Sequence, residues 1–231
     1  MLPTLLGVCL VLAFASLGRW QLGREDSKRE QLAAADAALA GPPLPLAHVS
    51  GLADPGPVRV EGSGTFLPTP RLLLDNQRRG PQVGVRFYCA FQPEAGPALL
   101  VDLGWRPIGP DRALPEGGCP LGRHGVSGLL VPPPAVGLRL GPGLVEQAGG
   151  QGWLATRLEP AAVSAAWRLP SPLSPRVLRL DPALPLGYER DLALLANTLP
   201  PEKHRGYAIQ WFGLAVAALV ITVLLNLRRR P

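Results

Sequence analysis

The sequence predicts an α+β membrane protein, with two transmembrane helices flanking an external, mainly antiparallel β barrel or sandwich that carries one or two helices. Three observations carry this expectation. Residues 1–18 and 207–227 contain no charged side chain. The 188 residues between them hold 24 of the 27 Gly and 26 of the 28 Pro. That middle stretch nevertheless contains short apolar runs separated by turn residues, and the chain is 47% hydrophobic, too apolar for a disordered polymer.

The first apolar run, MLPTLLGVCLVLAFASLG, reaches about 27 Å as a helix, close to the thickness of a bilayer core. Ala13-Phe14-Ala15 has the small-x-small form of a signal-peptidase site, but no basic residue precedes the run, so a retained span is expected. Residues 19–40 lack Pro and are rich in Ala, Glu, Lys and Arg, which predicts a juxtamembrane helix ending at Gly41-Pro42-Pro43. Trp20, Arg24, Lys28 and Gln31 share one face of that helix by spacing.

The external domain is assigned to residues 41–206, after a Pro-rich link over Gly41–Pro57. Strands are expected at Val58–Phe66, Arg71–Asp75, Val83–Gln92, Ala98–Trp105, Gly125–Val131 and Arg176–Leu180. In the third of these, Val83, Val85 and Phe87 alternate with Gly84, Arg86 and Tyr88, the pattern of a half-buried strand. Asn76–Pro81 reads as a turn, and Val131–Gly152 as a long Pro/Gly loop. That loop and Ser171–Gly187 are expected to include the most mobile segments. Glu159–Trp167 suggests a short helix with Pro at its start.

The second apolar run, residues 207–227, reaches about 31 Å. The basic tail 228–231 follows it, and its Arg triplet favours the cytoplasmic side. The N-terminus then lies inside as well, and the central domain outside. Arg19, Arg24, Lys28 and Arg29 oppose this placement, but the triplet is more compact, and long domains cross despite flanking charge. Arg outnumbers Lys 21 to 2, alongside abundant Ala, Gly and Pro, a composition typical of a GC-rich bacterial genome. The expected location is a bacterial inner membrane, multi-pass, with the central domain periplasmic.

Several function classes drop out. The net charge of +6 comes half from the Arg triplet, and the remaining basic residues form no stripe with interleaved aromatics, so no nucleic-acid partner is expected. Cys9 falls in the first span, which leaves Cys89–Cys119 as the one disulfide the domain could form. No C-x-x-C pair is present to act as a redox or copper-carrier motif. Metalloprotease, nucleophile-elbow, Walker and Ser-Lys hydrolase motifs are missing too, so an enzyme is not expected.

Three clusters converge on the outer membrane surface. They are the face with Trp20, Arg24 and Lys28, the tripeptide Lys203-His204-Arg205, and the pair Tyr207 and Trp211. An imidazole, several cations and flat apolar rings at a lipid–water boundary suit a planar amphiphilic anion. Haem has that character: His204 would ligate iron, while Arg24, Lys28 or Arg205 would neutralise propionates. Membrane lipid is the commonplace partner for the same residues, because aromatics and Arg or Lys beside spans usually serve as anchors. Gly213 and Ala217 are four apart on the second span and could seat a neighbouring helix.

Leu17-Gly18-Arg19-Trp20-Gln21-Leu22-Gly23-Arg24, followed by Lys28, resembles the opening signature of the Surfeit locus protein family, the cytochrome c oxidase assembly factors. Val60-Glu61-Gly62 through Phe66, and Leu73-Leu74-Asp75-Asn76, resemble its next block, and Gly84 fits the position that follows. Leu99–Pro107 is similar to its Gly-Trp block, and His204-Arg205-Gly206-Tyr207-Ala208-Ile209-Gln210-Trp211-Phe212 to its closing motif. Two positions depart. The family's Asn-Arg before Gly-Trp is Asp102-Leu103, and the Asn often found before the His is Lys203.

The resemblance implies two spans around an external β-rich domain and a role in building haem-copper oxidase, at the stage where haem a enters subunit I. It implies subunit I of cytochrome c oxidase and haem a synthase as partners, haem a as a transient cofactor, and His204 as a haem ligand. The alternative is a membrane-anchored scaffold for oxidase assembly that binds no cofactor.

Overall fold

A computed structural model of the chain describes residues 2–49, 56–136, 141–147, 150, 152–194 and 198–228. Parts of the expected loops Gly41–Pro57 and Val131–Gly152, and Arg229 and Arg230 of the basic tail, lie outside the described residues. The chain forms two compact units. One combines residues 1–33 with 198–231, and the other is residues 34–197.

The first unit is a helical hairpin. Helix α1 runs unbroken over Leu2–Ala40, so the first apolar run and the charged stretch after it are one helix. Its partner α4 spans Pro201–Leu227, starting inside the stretch that the sequence assigns to the external domain. Pro at the first helical position supplies the φ a helix needs and gives up no hydrogen bond. Both helices are long and apolar enough to cross a membrane, and only 11% of each apolar window is buried, which suggests membrane anchoring.

The hairpin is antiparallel. Thr4 Oγ1 donates to Asn226 Oδ1 at 2.8 Å near one end, and Lys28 Nζ donates to Thr198 Oγ1 at 3.2 Å at the other. Between them Phe14 stacks on Trp211 with centroids 5.7 Å apart. The residues of α1 in the seam are Thr4, Gly7, Val11, Phe14, Gly18, Gln21, Glu25 and Lys28, all buried or half-buried. Their spacing alternates three and four, the 3.5-residue repeat of helices that coil around each other. Buried Pro201, His204, Ala208 and Ala215 line α4 in the same way. Two glycines permit the close approach: a Cβ on Gly7 would run into the Thr222 side chain, and one on Gly18 would lie 2.8 Å from Phe212 Cζ. Gly213, by contrast, has nothing within 4 Å, so it takes no part in this seam.

The second unit is a sheet domain. In chain order it contains β1 (Leu44–Pro45), α2 (Leu46–Val49), β2 (Val58–Phe66), β3 (Leu72–Arg79), β4 (Gln82–Pro93), β5 (Leu99–Pro107), β6 (Gly122–Val131), β7 (Leu144–Glu146), β8 (Trp153–Ala155), α3 (Pro160–Ala166) and β9 (Val177–Leu180). The strand order is β1-β2-β6-β9-β5-β4-β3-β8-β7. Because β2 also pairs with β4, the ladders linking β2, β6, β9, β5 and β4 form a closed circuit. Among the described residues six ladders are antiparallel and three parallel (β1–β2, β3–β8 and β5–β9), so the sheet is mixed, with antiparallel pairing in the majority.

Two cores lie on opposite sides of the long strands. One gathers Val60, Phe66, Val85, Phe87, Phe91, Val101, Leu103 and Leu178. The other gathers Leu72, Leu74, Tyr88, Leu100, Leu158, Val163 and Val177. This corrects the expectation of a half-buried β4. Arg86 and Tyr88, on its seemingly solvent-facing side, are 6% and 1% exposed, because the second core and the polar groups beside it cover that face. A third small cluster packs Ala35, Ala38 and Leu39, from the last turns of α1, against Leu129 and Val131 of β6. Arg59 Nη1 donates to the carbonyls of Leu39 and Gly41, satisfying acceptors at the helix end.

The expected turn Asn76–Pro81 shrinks to Gly80-Pro81, because β3 continues past a bulge between Leu74 and Gln77. Asn76 adopts φ 55° there, a conformation that Asn tolerates, and its N–H donates to Asp75 Oδ1 at 2.7 Å. Cys89 of β4 and Cys119 of the β5–β6 connection are joined in a disulfide, with Cα atoms 5.7 Å apart.

Candidate functional site

His204 is the centre of the candidate site. It lies in the first turn of α4 and is 8% exposed. The heptad seam brings Gln21 of α1 opposite it, and Nδ1 lies 2.8 Å from Gln21 Oε1. Nε2 has no hydrogen-bond partner among the described residues. One turn further along α1, the buried Glu25 carboxylate accepts from Arg29 Nε at 3.0 Å and Nη2 at 2.9 Å. Lys28 is 7% exposed and held by Thr198. The seam is therefore polar from Gln21 to Lys28, and made of small or apolar residues from Gly7 to Gly18.

The other expected site residues separate into two groups. Lys28 and Trp211 face the seam, where Thr198 and Phe14 engage them. Trp20 and Tyr207 are 57% and 43% exposed, and Arg24 and Arg205 are exposed with no ion-pair partner among the described residues. The face shared by Trp20, Arg24 and Lys28 is thus divided: its last member turns inward and its first two remain outside. Gln21 and Phe14 are the site residues that motif reasoning missed. Their signal was the alternating three- and four-residue spacing through Gly7, Phe14, Gly18, Gln21 and Lys28.

Among the described residues no group of three or more His, Cys, Asp or Glu side chains comes together to hold a metal ion. The donor available at this site is a single imidazole nitrogen. That suits a metal whose remaining donors arrive with it, as the macrocycle of haem supplies four.

A second buried polar centre lies in the sheet domain. Arg86 Nη1 donates to Asp102 Oδ2 at 2.7 Å, and Arg179 Nε is 3.7 Å from the same oxygen. Asp102 Oδ1 accepts from the Gly104 N–H at 3.0 Å. Burial alone would lower the Arg86 guanidinium, but Asp102, Tyr88 and Asp191 together outweigh this and raise it. Burial, and then Asp102, push the Tyr88 phenol up beyond the usual tyrosine range. Gly104 holds φ 116°, and a Cβ there would lie 2.7 Å from the Tyr188 carbonyl, so the Gly-Trp step demands glycine. Leu103, where the resemblance expects Arg, is fully buried in the first core, and the guanidinium groups beside Asp102 come from β4 and β9 instead.

A mixed-sheet domain set into the chain between two apolar helices, with one imidazole held in the seam of those helices, defines a class: sheet domains carried between two helices long and apolar enough to cross a membrane. The SURF1 family profile matches residues 8–216, a stretch that takes in most of α1, the whole sheet and the first part of α4. The chain belongs to the SURF1 family, known as oxidase assembly factors. No individual curated protein gives a significant match.

Proposed function

We propose that the protein holds haem a at the hairpin and passes it to subunit I of a bacterial cytochrome c oxidase. The observation that carries this is His204: one ring nitrogen is held by Gln21, and the other is left without a protein partner among the described residues. His204 would be the single axial ligand, which keeps the cargo exchangeable. Arg24 and Arg205, exposed and without ion-pair partners among the described residues, would meet the propionates, and the exposed Trp20 and Tyr207 rings would meet the macrocycle. Lys28, engaged by Thr198, and Trp211, stacked on Phe14, would shape the seam behind. Haem a synthase is the proposed donor.

In this reading the sheet domain lies in the periplasm and the protein in the inner membrane. The Cys89–Cys119 disulfide supports this, since such bonds persist in oxidising compartments and rarely in the cytosol. The Arg triplet after the second span points the same way.

Purification in mild detergent from cells that make haem a is expected to yield the absorption bands of a bound haem, and His204→Ala is expected to lose them. A haem-free protein, or equal haem in His204→Ala, rejects the proposal. The cofactor-free scaffold draws on a different observation: Gly206 and Gly213 leave open space on the exposed side of α4, where a helix of subunit I could approach. It expects oxidase intermediates to co-purify with His204→Ala and to be lost with Gly213→Leu.

A further inference from the structure

We propose that Gln21 is a positioning residue that selects which nitrogen of His204 faces a ligand and tunes how firmly that nitrogen binds. This rests on His204 binding haem, as proposed above. An amide oxygen only accepts, so the ring nitrogen 2.8 Å from Gln21 Oε1 is the donor. Nδ1 carries the hydrogen, and the ring's lone pair lies on Nε2. Free imidazole side chains favour the opposite tautomer, with the hydrogen on Nε2, which would block ligation at that atom. Gln21 therefore reverses an intrinsic preference and fixes the plane of the ring.

The contact is a product of the hairpin. Gln21 and His204 are 183 residues apart in sequence and meet because both occupy seam positions of antiparallel helices. The acceptor is also neutral. A carboxylate in its place would draw the Nδ1 hydrogen more strongly, raise the basicity of Nε2 and strengthen the bond to iron. Glu25, the carboxylate one turn along the same seam, is engaged by Arg29. A neutral partner gives an oriented ligand of moderate strength, which suits a protein that has to release its cargo.

Two measurements test this apart from haem binding itself. The first uses haem-free protein labelled with 15N-histidine in detergent micelles, at a pH where imidazole is neutral, with His204 assigned by difference against His204→Ala. A hydrogen on Nδ1 and a bare Nε2 are expected in the wild type, with that bias lost in Gln21→Leu. A hydrogen on Nε2 in the wild type, or the same tautomer in Gln21→Leu, overturns the inference.

The second uses haem a. Gln21→Leu is expected to weaken binding about ten- to a hundred-fold, the usual effect of removing a partner behind a metal ligand. Gln21→Glu preserves size and polarity, and is expected to bind at least as tightly as the wild type with a higher iron–imidazole stretching frequency in resonance Raman spectra. If both variants keep wild-type affinity and frequency while His204→Ala loses haem, the inference fails and the haem proposal stands. Binding indifferent to His204 overturns the haem proposal and the ligand-tuning half of the inference together.

Discussion

The hairpin and the sheet domain each bury charged or polar side chains, and they satisfy them in opposite ways. In the sheet, Asp102 is enclosed by Arg86, Arg179, Tyr88 and the Gly104 N–H, so its acceptor capacity is used within the protein. In the hairpin, the buried ammonium of Lys28 is held by a neutral hydroxyl and the buried imidazole of His204 by a neutral amide, with one ring nitrogen left over. A carboxylate whose oxygens are already engaged by neighbouring donors secures a fold and offers little to a ligand. An imidazole with one side spoken for is still able to bind. The contrast marks one cluster as structural and supports the ligand role proposed for the other.

The largest test of this contrast is Asp102→Ala. Taking the buried carboxylate away from Arg86 and Arg179, which then keep only the partly exposed Asp191, should cost about 3–5 kcal/mol, enough to unfold a marginal domain. Denaturant unfolding of the sheet domain should show that loss, whereas His204→Ala should leave the same transition unmoved.

A smaller effect probes the hairpin. Gly7→Val places a branched side chain against Thr222, and overpacking of this kind costs about 1–3 kcal/mol. Spin labels on Cys9 and on a Leu219→Cys variant should report a longer or broader distance, with sheet stability unchanged.

The smallest effect at neutral pH is that of Tyr88. Its phenol ionises at a higher pH in the folded protein than the ordinary value of 10.0. The folded state thus keeps a proton that the unfolded chain releases, and stability is intact below that value and falls as pH rises through it. The slope is about 1.4 kcal/mol per pH unit. Unfolding free energies measured from pH 9 to 11 should show this decline, and Tyr88→Phe should abolish it.

Strand-like runs set between turn residues made β2 legible in the sequence to the residue, and they located β4, β5 and β6 with at least one end cut short. Alternation failed for β1, β7 and β8, each two or three residues long, because so short a run has no period to detect. It also misjudged Arg86 and Tyr88. A polar alternate position reads as solvated, and the partners that bury it come from β5 and β9. His204 was legible through its place beside the second span. Gln21 was not, since its importance depends on the register between helices at opposite ends of the chain. In an apolar helix the seam residues Gly7 and Gly18 look like any other small residues until a partner helix is placed against them.

The hairpin's two halves are separated by the 164 residues of the sheet domain, and this sets an order in time. At about 5–20 residues per second, synthesis of that domain takes roughly 8–30 s. Throughout this interval the seam half of α1 has been made and α4 has not. Gly7, Gly18, Gln21 and Lys28 wait without the residues they will meet, and His204 is among the last parts of the site to be translated. The place proposed for the cargo is thus completed only after the sheet domain has been made, so a chain stalled before α4 has no finished seat in which to trap haem.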